Sequence, residues 1–156
     1  VSDVPVGVML SGGMDSSALT ALAARARGDA DFHTFALRFE DGSFDESPFA
    51  EMVAKSVGTS HHVIDVTAQK VAGLLGTCIS QIDEPYADGS AIPTLLLAGE
   101  AREHVSVLLS GEGGDEFFGG YDTHAALKIR RAYRYVPGFR DHNVGFRVVA
   151  SPFSGL

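Results

Sequence analysis

Seven consecutive residues, Ser11-Gly12-Gly13-Met14-Asp15-Ser16-Ser17, put three hydroxyls, two glycines and one carboxylate inside the stretch VMLSGGMDSSALTAL at residues 8–22. A plain turn needs far less. Gly12 and Gly13 carry no side chain, so their backbone N–H groups can approach a phosphate. The helix expected to follow adds its positive amino end. Ser11, Ser16 and Ser17 offer hydroxyl donors to phosphate oxygens. Asp15 would repel a phosphate on its own, but it fits if a Mg²⁺ ion bridges it to the anion, since hard oxygen ligands suit that ion. No lysine follows the glycines, which excludes the Walker A pattern. The plainer alternative is a helix N-cap cluster on a flexible turn.

A second segment, Ser110 to Tyr121, holds three acids and five glycines directly after an apolar run. Asp115 is a candidate second Mg²⁺ ligand. Glu112 is a candidate to orient a nucleophile or take its proton. Helix-start acids satisfying the dipole are the alternative, and it suits Glu116 better than Glu112.

Strands and helices in alternation must position these two segments. The pattern predicts strands over Val4–Leu10, Phe32–Phe39, His61–Val66 and Val105–Leu109. Helices are expected over Asp15–Arg27 with Gly28 as its stop, over Pro48–Val57 with Ser47 as its cap and Gly58 at its end, to about Ile82 with Thr67 as its cap, and over Ile92–Glu103. Asp83 to Ser90 breaks the pattern and reads as a loop. Tyr121–Tyr135 reads as a helix, and Pro137-Gly138 then opens a mixed tail. Such alternation implies right-handed crossovers and a parallel α/β sheet with helices on both faces. Ligands of such sheets sit at the carboxyl ends of strands where the strand order reverses. The first and fourth strands both end in Leu-Ser-Gly. If they are neighbours across the reversal, the two Ser-Gly turns face one crevice.

The bulk numbers bound the partners. A chain of 156 residues, 45% apolar and 21% charged, suits one globular domain. A net charge of −8 with a pI near 5.1 argues against a nucleic-acid partner. No apolar run reaches a membrane span, and no signal-like stretch opens the chain. With Cys78 the sole cysteine, a reducing cytoplasm is expected. The chain opens on Val1 rather than Met, as a piece of a longer sequence would. The oligomeric state is left open, a homo-oligomer included.

The loop at residues 11–17 resembles the pyrophosphate loop of the ATP pyrophosphatases. Within them, residues 3 to 135 resemble the synthetase domain of glutamine-hydrolysing asparagine synthetases. Supporting stretches are Asp3-Val4-Pro5-Val6-Gly7, Asp45-Glu46-Ser47-Pro48-Phe49-Ala50, Asp83-Glu84-Pro85, Ser90-Ala91-Ile92-Pro93-Thr94 and residues 110–121. The resemblance implies an adenine nucleotide alpha hydrolase-like fold and two cofactors, ATP and Mg²⁺. It implies that ATP adenylates the side-chain carboxylate of aspartate and releases pyrophosphate, and that ammonia then attacks to give asparagine and AMP. By resemblance, Leu10 and Leu37 lie beside the adenosine, and Ser11, Gly13 and Ser16 grip the pyrophosphate. Asp15 and Asp115 hold Mg²⁺, Ser110 and Gly111 contact the nucleotide, and Glu112 acts at the acyl-adenylate step.

The family also has an N-terminal glutaminase domain that opens with a catalytic Cys and makes the ammonia. The sequence does not contain it, and Cys78 falls in an expected helix. The family's later helical region supplies a lysine for the pyrophosphate, and Lys128 follows the second segment too closely to replace it. Residues 1–136 are thus expected to form an incomplete ATP-binding domain. In the tail, 137–156, Phe139 to Val149 resembles the carboxyl-terminal end of formylglycine-generating-enzyme-like domains; the rest of that family's active site is not visible, so no activity is assigned to it. Two rival readings stay open: another ATP-dependent amide-forming ligase, such as one closing a β-lactam ring, or an ATP-binding module without turnover. His61-His62 has the look of a metal pair, but a strand turns consecutive rings to opposite faces, so a structural role is expected. Arg130, Arg131 and Arg134 read as a solvated helix face, and Phe117-Phe118 as packing under the second loop.

Overall fold

The structure, a computed structural model, describes residues 2–27, 32–43, 45–84, 88–118 and 120. It divides into two units, Val1–Gly111 and Glu112–Leu156. In the first, strands β1 (Val6–Met9), β2 (His33–Phe39), β3 (Ser60–Val66) and β4 (Val107–Leu109) alternate with helices α1 (Met14–Arg27), α2 (Ser47–Val57), α3 (Ala68–Gln81) and α4 (Ala91–Ala101). The sheet order is β3-β2-β1-β4 and every pairing is parallel. The chain runs from β1 through β2 to β3, then crosses back to the far side of β1. The strand order therefore reverses between β1 and β4, which meets the condition on which the two Ser-Gly turns would lie together.

That reversal decides which face each helix covers. With right-handed crossovers, helices laid down before the reversal take one face and those after it take the other. On the first face, Leu10 and Ala36 pack against Ala50 and Ala54 of α2. Three alanines in that cluster leave room for a helix to lie close to the sheet. On the second face, Phe35 and Ile64 pack with Leu97 and Ala101 of α4 and with Val105; α3 in turn packs on α4.

Local chemistry explains most element ends. Thr67 accepts from the Lys70 amide at 3.2 Å and caps α3 as expected. Gly58 ends α2 in a left-handed conformation, its N–H bonded to the Ala54 carbonyl at 2.8 Å. The expected cap at Ser47 is corrected. Ser47 is inside α2 and buried, the N-cap position is Glu46, and no side chain caps it. Asp45 instead accepts from the Ser47 amide at 3.0 Å, so the acid two residues upstream does the work expected of the hydroxyl. A second correction concerns β4. It is three residues long, and Val107 and Leu109 are 40% and 36% exposed. As an edge strand it is not enclosed on both faces as β2 is.

The second unit is described by one short helix, α5 (Gly114–Phe118), after Gly113. Phe117 and Phe118 stand 87% and 86% exposed, so the packing role expected for them is not what the structure shows; α5 turns both rings outward. The expected helix at Tyr121–Tyr135 with its arginines, and the 137–156 tail, lie outside the described residues.

On the first face His61 sits in a polar pocket of the core. Its Nδ1 lies 2.9 Å from the Thr34 hydroxyl, which lies 2.8 Å from that of Thr59. Its Nε2 is sealed from solvent and has no partner among the described residues. Burial holds the His61 pKa below its ordinary value, against a weaker opposing pull from Glu51. Above about pH 6.5 both folded and unfolded chains carry a neutral ring, so stability is unaffected; below it the unfolded chain takes up a proton that the folded chain resists. Stability should therefore fall as pH drops from about 6.5 toward the depressed value. Urea midpoints at about pH 7.5 and 5.5 should differ, and His61→Asn should shrink that difference; an unchanged difference would remove His61 as its source.

Candidate functional site

The site is built where β1 ends. After Leu10 the chain turns through Ser11, Gly12 and Gly13 into the first turn of α1. Three hydrogen bonds close this turn on itself. The Gly13 amide donates to Ser11 Oγ at 3.3 Å, and the Ser16 hydroxyl donates to the Gly13 carbonyl at 3.2 Å. Ser11 Oγ and Ser16 Oγ are 2.9 Å apart. Because Ser16 has one proton and gives it to Gly13, Ser11 must be the donor of that last pair. The result is a cycle: Ser11 to Ser16, Ser16 to Gly13, Gly13 to Ser11.

Two glycines fit the cup to its surroundings. Gly12 has a φ of +88°, the left-handed region, and a Cβ there would lie 2.6 Å from Phe49 Cβ and 2.7 Å from the Ala50 amide nitrogen. The start of α2 thus presses on the turn from behind, and Gly12 is required for conformation and for close packing. Gly13 differs, since a Cβ there would meet only Ser11 Oγ, at 3.4 Å. Its side is the open one. The positioning role of Phe49 and Ala50 was not read from the sequence; the signal was present in Asp45 to Ala50, whose proline and acid place the start of α2.

The tip of β4 closes the other side. A Cβ on Gly111 would lie 3.0 Å from the Ser16 amide nitrogen and 3.4 Å from the Asp15 carbonyl carbon. The structure therefore brings Ser11, Gly12, Gly13, Asp15, Ser16 and Gly111 to one place, with Ser110 between Gly111 and β4. The two Ser-Gly turns lie side by side. Ser16 is buried and Asp15 half-buried. Ser17 Oγ is sealed from solvent without a partner among the described residues.

Leu10 is 1% exposed and its side chain belongs to the α2-side core, so any ligand contact from this position comes from its main chain. Leu37, half-buried, packs against the α4-side core. Glu112 and Asp115 belong to the second unit, where Glu112 is exposed and Asp115 half-buried in the first turn of α5.

Chemically the cup offers a helix start whose first-turn amides have no carbonyl ahead of them, hydroxyls, and one carboxylate. That is a place for an anion with several oxygens. The donor set around Asp15 is oxygen only, which suits Mg²⁺ and not a softer metal. Removing one hydroxyl of the cycle leaves the other two groups short of a partner. Ser11→Ala and Ser16→Ala should each cost about 1 kcal/mol, and the double variant clearly less than their sum, because both break the same ring. Gly111→Val should cost about 1–3 kcal/mol by forcing β4 away from α1. Chemical denaturation of the four variants measures both effects.

Comparison with known proteins agrees with this geometry. A model of the asparagine synthase family matches residues 1–152. A Methanocaldococcus jannaschii protein provisionally named glutamine-hydrolysing asparagine synthetase 2 is 42% identical over 123 residues, 79% of this chain and 24% of that protein. A provisionally named glutamine-hydrolysing asparagine synthetase of Mycobacterium tuberculosis H37Rv is 40% identical over 136 residues, 87% of this chain and 21% of that one. Asparagine synthetase 1 of Bacillus subtilis is 36% identical over 140 residues, again 87% and 21%. The chain spans between a fifth and a quarter of these curated relatives. Among solved structures, an NMN synthetase from Francisella tularensis aligns with a TM-score of 0.53 at 17% identity, covering 75% of this chain and 49% of that one. The glutamine-dependent NAD+ synthetase from Acinetobacter baumannii, solved with ADP, aligns at 0.53 and 20% identity, covering 85% and 30%. These neighbours bear on the fold alone, and it is the α/β adenine nucleotide alpha hydrolase-like fold. The family match covers nearly all of the residues that build the sheet, the cup and the second glycine-rich segment, and the chain belongs to the asparagine synthase family.

Proposed function

We propose that this chain is the ATP-binding core of a ligase that forms asparagine from aspartate and ammonia. The observation that carries the reading is the closed serine–glycine cup at the carboxyl end of β1, with Gly111 of the β4 tip laid on the first turn of α1. It rests also on the relatives named above, which carry the name glutamine-hydrolysing asparagine synthetase.

In this reading the triphosphate enters on the Gly13 side. Ser11 turns its hydroxyl proton from Ser16, and Ser16 turns its own from the Gly13 carbonyl, to the β- and γ-phosphate oxygens, and the α1 amides face the same charge. Asp15 would hold Mg²⁺, and the family resemblance assigns Asp115 too as a carboxylate that would bind it. Bound there, the ion would neutralise charge on the pyrophosphate as it leaves. The aspartate side-chain carboxylate attacks the α-phosphorus, the bond to the pyrophosphate oxygen breaks, and β-aspartyl-AMP results. Ammonia then adds to the acyl carbon and AMP departs. Glu112 is assigned to this second step, as the base that takes the proton from the attacking nitrogen. Leu10, through its main chain, Leu37, Ser110 and Gly111 are the proposed contacts of the nucleoside.

One rival reading is a module that binds ATP and turns nothing over. Mg-ATP titration beside a pyrophosphate-release assay separates the readings. Release that depends on aspartate supports the ligase, release with another carboxylate supports a related amide-forming enzyme, and binding without release supports the module. Asp15→Ala should weaken Mg-dependent ATP binding by about tenfold or more, with the thermal midpoint shifted by no more than a few degrees. Undiminished Mg-dependent binding would remove Asp15 from the metal site.

A further inference from the structure

Three histidines meet at the end of the sheet opposite the cup. His33 opens β2. His62 lies in β3, where it is the register partner of Phe35, so His33, Phe35 and His62 share the α4-side face. His104 follows α4 and is fixed there by its amide bond to the Ala101 carbonyl at 3.0 Å. The ring centroids are 5.2 Å apart for His33 and His62, 5.3 Å for His33 and His104, and 4.2 Å for His62 and His104. One ligating nitrogen from each ring lies within 4.8 Å of the other two. Phe35, 1% exposed, forms the floor, with its ring 4.9 Å from that of His62.

We propose that His33, His62 and His104 form a binding site for a divalent transition-metal ion of the zinc type, distinct from the nucleotide cup. Among the described residues the donor set is three imidazole nitrogens, with no carboxylate or thiolate grouped with them. That selects Zn²⁺, Co²⁺, Ni²⁺ or Cu²⁺ and rejects Mg²⁺ and Ca²⁺. Two nitrogens on a tetrahedral ion at about 2.0–2.1 Å stand about 3.3 Å apart. His33 Nδ1 and His62 Nε2 are already 2.9 Å apart, with a proton between them where the metal would go. The change needed is a small opening of that pair and a swing of His104, which is exposed. Side-chain rotation supplies both, and the two strands hold the other ligands in place. Three protein ligands at a partly exposed site leave the fourth position to water.

His61 takes no part, since its ring lies on the other face with Thr34. The inference does not depend on the proposed ligase activity, because it concerns the opposite end of the sheet and a different class of ion.

The test is titration of the metal-stripped, untagged chain with Co²⁺ alone, followed by its visible absorption, and with Zn²⁺ alone, followed by thermal shift. The chain has six histidines, so variants must carry the assignment. The expected result is one equivalent of Co²⁺ with ligand-field bands that Zn²⁺ abolishes. His104→Asn should weaken binding by at least about tenfold, and His33→Asn and His62→Asn should do the same, while His61→Asn and His124→Asn leave it unchanged. His104 is exposed, so its variant tests the site even if the strand variants fail to fold, which circular dichroism reports. No saturable binding, or binding indifferent to His104→Asn, overturns the proposal.

Discussion

The close approach of Gly111 to the Ser16 amide ties the two halves of the sheet's carboxyl edge together. It exists because β4 pairs with β1 rather than with β3, the strand that precedes it in the chain. A helix pair, α3 and α4, carries the chain back across the sheet and delivers the second Ser-Gly turn beside the first. Any larger residue at 111 would meet backbone there, not the yielding end of a side chain. The Ser110-Gly111 turn is thereby laid against the first turn of α1, beside the cup and the half-buried Asp15.

The core serves the same arrangement. On the α2 side it is built from small residues, Ala36, Ala50 and Ala54, so α2 lies near enough for Phe49 and Ala50 to back Gly12. On the α4 side it uses large ones, Phe35, Ile64 and Leu97, which fill the space under a helix set further along the chain. Burial of these groups holds the strands against the conformational entropy of the loops they carry. The loops at the strand ends are then free to be chosen for chemistry rather than for packing.

Much of this was legible in the sequence, for identifiable reasons. Strand and helix order followed from apolar runs and from Thr67, Gly28 and Gly58 as boundary signals. The repeated Leu-Ser-Gly endings at 10–12 and 109–111 raised the neighbouring of the first and fourth strands as a condition, and the pairing of β4 with β1 meets it. What was not legible depended on backbone geometry or on partners distant in the chain. Whether Ser47 or Asp45 ties down the start of α2 is settled by local backbone geometry that both residues suit equally well on paper. Gly12 looked like a phosphate contact, and its packing against Phe49 required the position of α2. The histidine trio needs residues from β2, β3 and the turn after α4; only the adjacent pair His61-His62 stood out as a pattern, and the strand sends those two rings to opposite faces.

The serine–glycine cycle has a consequence for what the cup accepts. In a ring of donors and acceptors that closes on itself, the bond dipoles point head to tail and largely cancel, so the empty turn projects little field from its hydroxyls. A guest with a single acceptor atom would open the ring and recover one bond for the several it disrupts. A guest with many oxygens can engage both serines and the helix start at once, turning the cancelled dipoles into parallel ones. Discrimination between poor and rich hydrogen-bond acceptors is thereby set before any cation or second carboxylate is engaged.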